Sequence, residues 1–368
     1  MSLDPVPRVA VAIALLVIGL GAGPASPASS SDVEAYRDAV AKINDAHAAK
    51  PADADEVALA KKLPKSASAA LQRLLADPKA APADLLVVGE AALDLDRMDD
   101  FEAIRAKLGV VAPAEAPRLG IALSRSRFLL RGLDGVEAPA LAAIGDTLDL
   151  VLDAYRDGFH FTSWSKVPGK KLRVRVHLVP KIESPPHFAP QFPWHSEIDF
   201  PVISKDSFSS PTADGKFLFY GLCHELGHVI AMWGSASDEE DHHAWAHYTG
   251  VAIVEHLAKS AADASALRGL RDAQWRTLSI ERKGLEEQRA KPGLRDRSSV
   301  LALLVGLHDL VGPAAVGDAL NALERGGKTR RVNRVRYYAL RDLEDALVAG
   351  EAGRQKAKAI AVLFDAKR

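Results

Sequence analysis

One cysteine, Cys223, stands in a chain of 368 residues. A single thiol closes no intrachain disulfide, so the fold must be held by its core. Excess charge is missing too. The formal net charge is −1 and the isoelectric point is near 6.9. That gives no broad basic surface for nucleic acid. The densest basic stretch runs from Arg325 to Arg336, with Lys328, Arg330, Arg331 and Arg334 between. It lacks interleaved aromatics and reads as a solvated loop. Long apolar runs are absent beyond the first residues, so no second membrane segment is expected. Cys223 itself reads as a small buried residue.

Two familiar loops are missing as well. Gly326-Gly327-Lys328-Thr329 resembles part of a phosphate loop, but residue 322 is alanine and the stretch leaves a helix. The acidic run Asp94, Asp96, Asp99, Asp100 has neither the glycine nor the spacing of a calcium loop and reads as a solvated turn.

What is present is globular: 48% hydrophobic and 26% charged residues, enough length for two or three packed units. Arg8 precedes the apolar run Val9 to Leu20, which leads to small residues around Ala25 and Ala28. This is the pattern of a signal peptide, too short for a membrane span. Export, to the periplasm or the exterior, is the expectation.

The patterning gives an α+β fold that is predominantly helical. Residues 29–150 read as a helical N-terminal region, broken by Pro51, Pro64, Pro78, Pro82 and Pro113. Lys171 to Val179 alternates as a half-buried strand. Glu197 to Ile203 reads as an edge strand, because an edge tolerates Pro201. Gly234 to Ser237 reads as a turn between two helices, and residues 261–368 as a helical C-terminal region.

The sequence His224-Glu225-Leu226-Gly227-His228 carries the chemistry. Residues four apart share one helical face, so both imidazoles can reach one metal ion. Glu225 is placed to act as general base on a metal-bound water. Phe217, Leu218, Leu222, Leu226, Val229, Ile230 and Trp233 supply apolar positions at helical spacing. Gly227 breaks the pattern at a cost of about 1 kcal/mol against alanine, which suggests a close approach to the backbone.

A catalytic zinc needs a third protein donor. Residue 231 is alanine and 234 is glycine, so the donor is not a further histidine in the same run. Half of the twelve histidines lie between 224 and 256, and a turn near 235 folds the next helix back. Asp241, His243, Glu240, His242 and His247 all remain open on that helix.

Over residues 150–260 the chain resembles the gluzincin clan of zinc metallopeptidases. The resemblance rests on His224-Glu225-x-x-His228 followed by Asp241-His242-His243-Ala244-Trp245. It implies a zincin-like core of a small sheet and the motif helix, with Zn2+ held by His224, His228 and Asp241. Asp241 stands where the clan carries glutamate. A second electrophile often assists in that clan; His247, Tyr248, His256, Tyr337 and Tyr338 are the candidates. The implied activity is hydrolysis of peptide or protein substrates. Two alternatives stand beside it: an exported non-catalytic domain with a structural zinc, and an intracellular regulatory protease with the same motif.

Overall fold

The computed structural model describes residues 27–49, 63–161, 171–179, 187–189, 197–202, 213–230, 233–235, 240–260, 297–328, 330–332 and 335–365. The leader and the stretch 261–296 lie outside them. Among the described residues the first helices are α1 (Pro27–Ala49), α2 (Lys65–Ala76), α3 (Pro82–Asp94), α4 (Met98–Val111) and α5 (Ala116–Leu119). A hairpin follows, β1 (Ile121–Ser124) and β2 (Phe128–Leu133), then the long α6 (Ala138–Phe159). Next come β3 (Leu172–Leu178), β4 (His187–Ala189) and β5 (Glu197–Val202). The motif helix α7 (Ala213–Ile230), β6 (Trp233–Ser235) and α8 (Glu240–Ser260) complete the middle of the chain. The remainder is α9 (Arg297–Val311), α10 (Pro313–Arg325), β7 (Arg330–Val332), β8 (Val335–Tyr338), α11 (Leu340–Ala349), α12 (Glu351–Arg354) and α13 (Ala357–Asp365). Pro82, Pro117, Pro139 and Pro313 each sit in a first helical turn, where the missing N–H costs nothing.

The described residues are therefore mostly helical with two small sheets. The larger has the order β1-β2-β3-β5-β4. Its centre, β2, β3 and β5, is parallel, and both outer strands are antiparallel to their neighbours. The smaller has the order β6-β8-β7.

Several sequence expectations change here. Residues 29–150 contain the β1–β2 hairpin as well as helices. Phe128, Leu129 and Leu130 are all buried, because β2 packs on both faces. Phe128 and Leu130 join the core of the middle and C-terminal elements, while Leu129 joins the core of the N-terminal helices. A short run apolar on both sides carries no period-2 signal. The C-terminal region holds β7 and β8 beside its helices. Gly234 and Ser235, expected in a turn, form with Trp233, expected on the motif helix, a strand that pairs in parallel with Arg336 to Tyr338.

The strand Glu197–Val202 is not at the edge. It lies between β3 and β4. Pro201 pairs with His177 on the β3 side, whereas β4 reaches only Glu197, Ile198 and Asp199. Among the described residues, β4 does not pair with the proline. The edge is β4.

The acidic run is not a solvated turn. Arg173 Nη1 donates to Asp94 at 2.9 Å, Lys171 Nζ meets Asp96 at 2.5 Å, and Tyr36 OH donates to Asp100 at 3.1 Å. Arg131 forks onto both oxygens of Glu90. The pairs of Arg131, Lys171 and Arg173 tie the N-terminal helices to β2 and the start of β3, while Tyr36–Asp100 joins α1 to α4. Among the described residues no single helix is long and apolar enough to cross a membrane.

Candidate metal centre

The motif helix forms as its spacing demands. Phe219, Leu222, Cys223 and Leu226 are buried along one side of α7. Burial pushes the Cys223 thiol up, as befits a small core residue. Its backbone carbonyl accepts a hydrogen bond from Tyr155 OH of α6 at 2.7 Å. That phenol is fully buried, and burial raises its pKa well above the ordinary value. Helix α6 thus braces the turn that carries the motif.

Gly227 explains itself. A Cβ there would lie 2.4 Å from Thr249 Oγ1 and 2.9 Å from Ala246 Cα. Across the seam, a Cβ on Gly250 would lie 3.2 Å from His224 Cα. Helices α7 and α8 therefore touch backbone to backbone, running antiparallel as expected. Thr249 Oγ1 donates to the Trp245 carbonyl at 2.9 Å, which satisfies the buried hydroxyl inside its own helix.

Beside this seam the ligand atoms of His224, Glu225 and His228 all lie within 4.8 Å of one another, close enough to hold one metal ion. Glu225 is 7% exposed and His228 4%. The two Nε2 atoms are 3.1 Å apart. Two imidazoles on one tetrahedral zinc, with bonds of 2.0–2.1 Å, hold their nitrogens about 3.3 Å apart. The two rings stand nearly perpendicular, at 86°. The donor set, two imidazole nitrogens and a carboxylate in a largely buried setting, could hold a divalent metal ion.

Five residues were candidates for an assisting group, and the structure separates them. Trp245 Nε1 donates to Tyr338 OH at 2.9 Å, which ties α8 to β8. Tyr248 is fully buried, edge-on to Phe159, with its hydroxyl 3.4 Å from His308 Nδ1. His256 stands against Gly158. His247 adjoins the centre: its ring is 4.4 Å from that of His224, and its Nδ1 is 2.9 Å from Tyr220 OH. The side chains of Tyr337, Glu240, Asp241, His242 and His243 lie outside the described residues. Tyr220 was not singled out in the sequence. Its position, one turn before His224, was the available signal.

No protein-family model, no curated protein and no solved structure matches this chain. The functional reading therefore rests on geometry and chemistry.

A second network fixes the far half of α8. Glu255 lies 3.1 Å from His308 Nε2 and 2.5 Å from Lys259 Nζ. The hydrogen bond from His308, with help from Lys259, holds the Glu255 carboxyl down to about 2 against an ordinary 4.5. A depressed folded-state pKa gives stability that is present above the unfolded value and is lost as pH falls through the folded one. Glu255→Gln is expected to cost roughly 2–3 kcal/mol at pH 7. Its deficit against wild type should shrink between pH 4.5 and 2. Urea titrations across that range check this; a deficit independent of pH would refute it.

Proposed function

We propose that the chain is an exported zinc-dependent peptidase with a zincin-like core. The observation that carries the reading is the 3.1 Å approach of the two Nε2 atoms, with the Glu225 carboxylate in the same buried cluster. His224 and His228 would hold the ion, with a further donor from α8. When bound, zinc supplies Lewis acidity that lowers the pKa of a water from 15.7 towards 7 and polarises a carbonyl.

The chain's own residues then have definite tasks. Glu225 takes the proton of the attacking water on its carboxylate and returns it to the departing amine nitrogen. Leu222 and Leu226, buried beneath the motif, keep the α7 scaffold rigid. The strand β4 lies on the motif side of the sheet, in contact with α7. Among the described residues no strand pairs with its outer side. An extended peptide can add there by main-chain hydrogen bonds. Peptide substrates fit such an edge better than small esters, which have no ladder to offer.

The test is metal content with turnover. Purified wild-type protein is expected to hold one zinc per chain and to cleave members of a broad peptide library. His224→Ala and His228→Ala should each lose the metal and the activity together. Zinc retained at full stoichiometry in both variants would end the reading.

A structural zinc is the second reading, because Glu225 is near enough to both histidines to bind the ion itself. It predicts that Glu225→Gln loses metal, whereas a general base leaves metal binding intact.

A further inference from the structure

The reading above leaves one donor to be found on α8. We infer that it is His247, bonding through Nε2, and that Tyr220 is the residue that orients it. This rests on the metal-site reading.

The register of the helix seam carries the inference. Gly250 of α8 is level with His224 of α7, since a Cβ on Gly250 would sit 3.2 Å from both Cα and N of His224. Gly227 is level with Ala246 and Thr249 in the same way. Residue numbers thus fall along α8 as they rise along α7. At a rise of 1.5 Å per residue, His228 stands about 6 Å along the seam from His224. His247 stands about 4.5 Å along it from Gly250, between the levels of the two motif histidines. Asp241 stands about 13.5 Å along, well past His228, and aspartate has a short side chain.

Contact agrees with register. The rings of His247 and His224 are 4.4 Å apart, at 59° to each other. His247 lies outside the 4.8 Å cluster of the motif residues, and the two torsions of its side chain are what would bring Nε2 onto the ion. The Tyr220 hydroxyl lies 2.9 Å from Nδ1, where its oxygen can accept from the ring. With Nδ1–H donating to the phenol oxygen, Nε2 is the unprotonated, metal-binding nitrogen. Metal-bound histidines commonly carry such a partner on the other ring nitrogen. Three neutral imidazoles would leave the full charge of the ion in place, where a carboxylate donor would cancel part of it.

The experiment measures metal, so it does not depend on knowing a substrate. Mature protein is stripped with a chelator and reloaded with zinc or cobalt. Affinity is read by competition with a chromophoric chelator. His247→Ala should weaken binding at least 100-fold. Asp241→Ala and His243→Ala should stay within a few-fold of wild type. Tyr220→Phe should weaken binding about 10-fold with an unchanged melting temperature for the stripped protein. X-ray absorption of the zinc-loaded wild type should count three imidazoles, a reading that needs no variant to fold. Two imidazoles with a carboxylate, or loss of metal in Asp241→Ala or His243→Ala while His247→Ala binds normally, would overturn the assignment and leave the metal site standing. Metal retained in His224→Ala and His228→Ala would instead remove the site itself.

Discussion

Glu225→Gln is expected to keep its zinc, its fold and its affinity for peptide, and to lose turnover by on the order of 10³-fold or more. The substitution conserves size and removes only the basic oxygen. Glu225 is 7% exposed and lies within the 4.8 Å cluster, so the amide stays where the carboxylate was. The loss should appear in kcat, with KM little changed, because proton transfer belongs to the transition state. The measurement is steady-state kinetics on any peptide that wild type cleaves, together with metal analysis. Full activity in the variant would place the chemistry elsewhere. Loss of metal would favour the structural site.

Gly227→Ala is expected to destabilise the protein by roughly 1–3 kcal/mol. An exposed helix would gain about 1 kcal/mol from the same change, so the sign itself is informative. The new methyl would meet Thr249 Oγ1 at 2.4 Å, Ala246 Cα at 2.9 Å and the Ala246 carbonyl at 3.1 Å. Two of these three are backbone and cannot turn aside. Relieving the third by adding Thr249→Ala should recover only part of the loss. Denaturant unfolding of the two variants and wild type decides the matter. A gain in stability for Gly227→Ala would mean that the seam is looser than described.

The motif was legible because its information is local. Two histidines four apart, a glutamate between them and a glycine out of place need no knowledge of the rest of the chain. The strand Leu172–Leu178 was legible for the same reason: Leu172, Val174 and Val176 alternate with Arg173, Arg175 and His177. What escaped was set by distant partners. Leu129 looks like its neighbours in sequence, yet it is held by a different core. Trp233–Ser235 becomes a strand only because Arg336 to Tyr338 arrives beside it from a hundred residues away. Pro201 suggested an edge, yet the strand that holds it lies between β3 and β4, and among the described residues β4 pairs only with Glu197, Ile198 and Asp199. The carboxylates of Asp94 and Asp96 gain their meaning from Arg173 and Lys171, far along the chain. Reflecting His228 through the turn put the start of α8 near the metal; the contact of Gly227 with Ala246 and Thr249 measures that reflection directly and moves the facing residues about one turn further on.

The glycine seam has a consequence for the life of the molecule. Helices that already meet backbone to backbone have no slack for an ion to take up. The backbone seam beneath His224 and His228 is set by Gly227 and Gly250, with Tyr155 behind it. On the metal-site proposal, the chain would fold first and take up the ion afterwards, and withdrawal of metal would leave a folded population able to be reloaded.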